Sequence, residues 1–234
     1  PTKTSDLPFR VPLLGVNAEL TQYATEELTH QYELMQQAHI TWVRQLVRWD
    51  EIETQEGQFN WEAWDTIVAT IQDYPDLDLV VVLVNSSAWA RNANESDSPT
   101  APPDDPSTFA RFASLFAARY GQTIDYYQIW DEPNLTAAWG NLPPRAVDYA
   151  ALLQAAYTAI HAADSGAMVI AAALAPTTEQ GPDNISDIRY LRDLYAFGAS
   201  AYMDAVAAKP YGFDQSPTDR TVAEDVLNFS RIIA

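Results

Sequence analysis

This sequence predicts an α/β fold of the (β/α)8 barrel type, with six of the eight units in the chain, on three observations. Short apolar runs rich in β-branched residues alternate with capped stripes of helical period, the order that yields parallel strands joined by helices. Residues 77–84 are almost continuously apolar, as a parallel strand buried on both faces is. Residues 124–134 read I-D-Y-Y-Q-I-W-D-E-P-N. Ile124, Tyr126, Tyr127, Ile129 and Trp130 suit a strand, and it stops on Asp131 and Glu132, with Pro133 ending its ladder. In a barrel, the C-terminal ends of the strands are where reactive groups collect.

The elements follow in order. Residues 13–16 form a first strand that runs out into Asn17, Ala18 and Glu19. Thr25 caps the first helix, Glu26 and Glu27 stand where the helix dipole favours acids, and Leu28, Tyr32, Met35 and Ala38 make its core stripe. Residues 40–46 are the second strand and carry Arg44. A guanidinium inside a barrel needs a carboxylate partner. Arg44 facing inward, and Arg44 facing outward with Arg48 four residues on, are both open. Asn60 caps a helix with Trp61, Trp64, Val68 and Ile71 on its face. The third strand ends at Val84, before Asn85, Ser86, Ser87, Ala88 and Trp89.

Residues 90–106 make a long polar loop on the strand-end face. Asp105 and Pro106 open a helix striped with Phe109, Phe112, Phe116 and Tyr120 and closed by Gly121. After the fourth strand, 126–130, come a loop with Trp139 and a helix over about 145–163 that carries His161 late and ends near Gly166. A fifth strand at 168–174 leads to a polar loop with Glu179. Ile188, Leu191, Leu194 and Tyr195 mark a helix stopped by Gly198. The sixth strand, 203–208, runs into Lys209, Pro210, Tyr211 and Gly212, and Thr221 caps a last stripe of Val222, Val226 and Phe229. All six strands are expected to be parallel.

The chain has 234 residues, enough for one large domain, taken as residues 1–234 and incomplete at its C-terminal side. A net charge of −19 disfavours nucleic acid, anionic lipid and polyanionic substrates and suits neutral or cationic partners. There are no cysteines, hence no disulfide framework and no thiolate chemistry. No apolar run reaches the length of a membrane-spanning helix. The start, Pro1-Thr2-Lys3, reads as a processed mature end or a domain cut from something larger, and an extracellular or cell-surface location is expected. No metal and no cofactor are expected. His30 and His39 lack ligand spacing, and the chain has no phosphate loop, no H-E-x-x-H and no EF-hand pattern.

Trp130-Asp131-Glu132-Pro133-Asn134 resembles the fourth-strand motif W-N-E-P-N of clan A glycoside hydrolases, in which the Glu is the general acid/base. The resemblance implies that role for Glu132. Asp131 stands where the clan has an Asn that bonds the sugar 2-hydroxyl. An ionised Asp accepts a hydrogen bond but donates none. It also sets a second negative charge beside Glu132, which favours the protonated form that an acid catalyst uses. Trp42-Val43-Arg44, then Trp49, Ile52, Gly57, Phe59 and Trp61, is similar to the W-V-R…W…I-E-P…G-x-F-x-W pattern of the β-xylosidase and α-iduronidase kind, with Thr54 in place of Pro. Lys209-Pro210-Tyr211 is similar to the sixth-strand H-P-Y, with Lys209 in the His position.

By this resemblance Arg44 and Tyr211 support the nucleophile and Asn134 helps hold the motif. Trp89 is either a sugar-stacking platform or simple packing. The clan's nucleophile is a Glu on the seventh strand, so here it is expected outside this chain, with a missing C-terminal segment or another chain completing the barrel. Glu19 and Glu179 also follow strands and match no clan position. The expected function is retaining O-glycosyl hydrolysis on a carbohydrate, with this chain alone inactive. The alternative is a catalytically inactive hydrolase-like module for carbohydrate binding or structural assembly, which Asp131 and Lys209 favour.

Overall fold

The computed structural model describes residues 14–92, 94 and 96–211. Six strands, β1 (Leu14–Ala18), β2 (Ile40–Arg48), β3 (Asp78–Val84), β4 (Tyr126–Asp131), β5 (Met168–Leu174) and β6 (Ala205–Ala208), pair in chain order in one sheet. Every pairing is parallel, as the alternation of elements predicts. The connections hold α1 (Thr25–Gln37), the one-turn α2 (Trp49–Ile52), α3 (Glu62–Ile71), α4 (Pro106–Tyr120), α5 (Ala146–Ala163) and α6 (Asp187–Ala196). The helix expected after Thr221 lies outside the described residues, as does Leu13. Among the described residues no helix is long and apolar enough to cross a membrane.

The core lies between sheet and helices. Val43, Val47, Leu79, Val81, Leu83, Tyr127, Ile129, Val169 and Ala171 face the helices and are buried. Phe109, Phe112 and Phe116 on α4 pack there, with the indoles of Trp49 and Trp61 against Phe112. β3 is buried on both faces from Val81 to Val84, as its apolar run predicts. Among the described residues the edge strands lack a neighbour on one side, and Leu14, Val16 and Val206 are exposed. The sheet is therefore a curled, open portion of a (β/α)8 barrel.

Local chemistry differs from expectation at three points. Thr25 is the first helical residue of α1 rather than its cap. Ala24 holds the cap position, and Glu27 reaches back to accept from its N–H at 3.4 Å. Asn60 accepts from the Glu62 N–H at 3.2 Å, but Trp61 occupies the cap position of α3. Gly121 ends α4 in a right-handed conformation, so handedness does not require it. Space does: a Cβ there would lie 2.7 Å from both the Ala117 carbonyl and an Asp164 oxygen. Asp105 caps α4 as predicted, accepting from the Ser107 N–H at 2.8 Å.

Candidate active site

A strand alternates its side chains, so residues 128 and 131 should fall on opposite faces of β4. Both instead face the concave side, because Arg44 bonds each of them: Nε to Gln128 Oε1 at 3.3 Å and Nη2 to Asp131 Oδ1 at 3.0 Å. The parity breaks at Trp130, whose φ is +66°, an outlier for so bulky a residue. Its indole turns outward onto Phe109 and Trp139 and donates to the Ala138 carbonyl at 2.9 Å. Its own carbonyl accepts from Gln128 Nε2 at 2.7 Å.

The ladder opens at the same place. Ile129 pairs with Ala171 and Asp131 with Ala173, and between them the Tyr149 hydroxyl is inserted. It accepts from the Ala172 N–H at 2.6 Å and donates to the Ile129 carbonyl at 2.8 Å. Tyr149 comes from the first turn of α5 and is fully buried, which pushes its phenol well above the usual range. Pairing resumes when the Glu132 N–H reaches the Ala173 carbonyl at 3.0 Å. Glu132 is left-handed too, at φ +51°. Sparsely populated backbone of this kind persists only where its surroundings hold it, and it concentrates at functional sites.

Asn134 is the main fastening. It is fully buried, donates to the carbonyls of Ala175 and Ile185 at 2.8 Å each, and accepts from the Ala175 N–H at 2.9 Å. The segment after β4 is thereby tied to the segment after β5.

Asp131 takes Arg44 and Gln128 on Oδ1 and Lys209 Nζ on Oδ2 at 2.9 Å. Lys209 also donates to Glu132 Oε1 at 2.7 Å. Burial works against the Lys209 charge, but hydrogen bonds to Glu132 and Asp131 outweigh it and hold the ammonium above the ordinary lysine value. The repulsion expected between the two carboxylates is thus offset by two cations, Arg44 and Lys209. Arg44 faces inward, settling the alternative left open by the sequence, and also donates to Asn17 at 3.1 Å. Arg48 instead pairs with Glu19 at 2.7 Å.

These groups border a cavity of about 720 Å3 lined by Glu19, Arg44, Gln128, Lys209 and Tyr211, with Asp131 and Glu132 reached through the Lys209 ammonium. Arg44, Asp131, Glu132, Lys209 and Tyr211 are brought together; Trp89 is not among the lining residues. Its indole donates to the Glu53 carbonyl at 3.1 Å, meets Trp49 edge-on, and carries the Arg111 guanidinium 5.6 Å from its ring centre. Those contacts pack Trp89 against α2 and α4. Glu179 is also outside the lining, where it accepts from Asn184 at 2.9 Å.

Three residues without a role in the sequence reading hold several contacts each, Gln128 and Tyr149 at the end of β4 and Glu53 beside α2. Gln128 and Tyr149 read as a strand glutamine and a helix aromatic. Glu53 is fully buried and holds the Trp49 indole and the Gly57 N–H at 2.7 Å each, together with Arg111. The I-E of the second-strand pattern was the one available signal for it.

The fold is that of an incomplete (β/α)8 barrel, and the known proteins it is similar to are glycoside hydrolases. Residues 19–91 match the sequence model of the family 42 β-galactosidases. The fold is similar to that of a family 39 glycoside hydrolase from the gut symbiont Bacteroides cellulosilyticus, at TM-score 0.67 and 17% identity over 92% of this chain and 42% of that one. It is also similar to a monomeric β-xylosidase from Caulobacter crescentus, at TM-score 0.62 and 17% identity over 88% of this chain and 43% of that one. A β-galactosidase from the psychrophilic Marinomonas ef1 gives TM-score 0.62 and 13% identity over 92% of this chain and 43% of that one. At such identities the likeness is one of fold, and the chain spans less than half the length of these structures. No curated protein matches it in sequence.

Proposed function

We propose that this chain carries the acid/base part of a retaining O-glycosyl hydrolase site, with Glu132 as the acid/base and the nucleophile supplied from outside this chain. The observation that carries the reading is Glu132 at the C-terminal end of β4. It sits on a left-handed turn over an inserted tyrosine hydroxyl, beside an Asp131 anchored by Arg44. Retention uses two carboxyl groups ~5–5.5 Å apart on either side of the scissile bond. Glu132 gives its proton to the leaving oxygen as the nucleophile bonds to the anomeric carbon. It then takes a proton from the water that releases the sugar. Arg44, Asp131 and Lys209 form the polar floor against which the sugar rests, with Tyr211 on the same cavity wall.

The test uses a polypeptide that completes the barrel. Glu132→Gln is expected to lower kcat about 10²–10⁴-fold on glycosides with poor leaving groups. The loss should be far smaller on activated aryl glycosides, whose departure needs no proton. An equal loss on both classes would contradict the acid role.

One observation favours the second reading, a non-catalytic carbohydrate-binding or structural module. Lys209 holds Glu132 Oε1 at 2.7 Å, where the clan motif has a histidine. On that reading a completed barrel binds sugar without turnover, and Glu132→Gln changes nothing but affinity.

A further inference from the structure

We infer that Glu19 is a fixed hydrogen-bond acceptor for a sugar hydroxyl in the cleft, a specificity-determining residue distinct from both carboxylates of the displacement. This rests on the glycoside reading of the site. Glu19 directly follows β1 and lines the same cavity as Arg44, Lys209 and Tyr211. Its Oε1 accepts from Thr21 Oγ1 at 2.8 Å and from Gln45 Nε2 at 2.9 Å, and its Oε2 accepts from Arg48 Nη2 at 2.7 Å.

An ionised carboxylate offers about four lone-pair positions. Three are filled by these donors, and the fourth is on Oε2. The carboxylate is also immobile. Gln45, which holds it, is fully buried and is itself fixed by the Leu20 N–H at 2.5 Å and the Leu46 carbonyl at 2.8 Å. An acceptor held in place before the ligand arrives loses little freedom on binding.

The same contacts exclude other roles. The Arg48 hydrogen bond, with Gln45 and Thr21 behind it, brings the Glu19 carboxyl down to about 2, so it carries no proton to give. With both oxygens already bound by donors, it is not free to form a bond to carbon. What is left is one lone pair on a carboxylate that lines a cavity of about 720 Å3, which suits the hydroxyl of a neutral sugar. Asn17, two residues back in β1, also lines the cavity, and its Oδ1 accepts from Arg44 at 3.1 Å.

The experiment is a calorimetric titration, with a panel of methyl glycosides and their mono-deoxy analogues, of a polypeptide that completes the barrel. For the sugar that binds, one analogue should lose roughly tenfold or more in affinity, the range of a hydrogen bond to a charged acceptor. In Glu19→Ala, and in the isosteric Glu19→Gln, that penalty should shrink several-fold, because the partner of the missing hydroxyl is gone or altered. Binding in which no analogue is penalised, or in which each penalty survives both substitutions, overturns this assignment and leaves the glycoside reading standing. Failure of every parent glycoside to bind the completed, otherwise unaltered polypeptide overturns both.

Discussion

Glu19 and Asp131 each accept three side-chain hydrogen bonds, Glu19 from Thr21, Gln45 and Arg48 and Asp131 from Arg44, Gln128 and Lys209. Glu132 has Lys209 as its one side-chain partner among the described residues. The residues that hold are well bonded, and the residue proposed to react is lightly bonded. Glu19 also has a measurable consequence in acid. Its folded carboxyl lies at about 2, below the ordinary 4.5, so between these values the folded chain binds fewer protons than the unfolded one. Its contribution is complete above about pH 4.5 and is lost as pH falls toward 2. Urea titrations at pH 6 and pH 2.5 should show the stability gap between the unaltered chain and Glu19→Gln closing in acid. The side chain is more than a third exposed, so solvent screening keeps the effect modest. A gap that does not change with pH would contradict the pairing. Of this cluster, the sequence showed only that Glu19 follows a strand. Its partners Gln45 and Arg48 come from the next strand, and nothing local in the chain marks that register.

The junction of β4 and β5 is where elements become a site. The strand, its stop at Pro133 and the carboxylate pair were all legible in W-D-E-P-N. The reversal of parity at Trp130 was not, because a left-handed tryptophan follows from no local preference of that residue. The cause is tertiary: a hydroxyl from α5 occupies the place where Ala172 and Ile129 would bond directly. In the sequence Tyr149 is one more aromatic at the start of a helix, with no sign that its hydroxyl enters the sheet. Tyr149→Phe removes both hydrogen bonds of this relay and leaves a buried N–H and a buried carbonyl facing each other. The expected loss is about 1–3 kcal/mol of stability. A change under roughly 0.5 kcal/mol, the scale of an unremarkable surface substitution, would mean that the ladder closes on itself without the tyrosine. Trp89 shows the converse limit. An aromatic after a strand suits a sugar or a core equally, and the contacts of this one with Trp49, Glu53 and Arg111 are not visible in the sequence.

Across the whole molecule, the sequence revealed most of the architecture, because parallel order is carried by a signal repeated in every unit: an apolar run, a cap, a helical stripe. Edge behaviour was also readable. Among the described residues, six strands in barrel order leave two open sides, and Leu14 and Val16 of β1 and Val206 of β6 are correspondingly exposed. Among the described residues Glu132, the carboxylate proposed to react, is held by Lys209 alone, whereas Asp131 is held by both Arg44 and Lys209, and Glu19 by Arg48. General acid assistance alone is worth ~10²–10⁴-fold, short of usual enzymatic acceleration. The most direct measurement is turnover of a panel of aryl α- and β-glycosides by residues 1–234 and by the same chain with Glu132→Gln. The account predicts no enzyme-like turnover by either. Robust turnover that Glu132→Gln abolishes would contradict it, because a second working carboxylate would then have to lie within this chain.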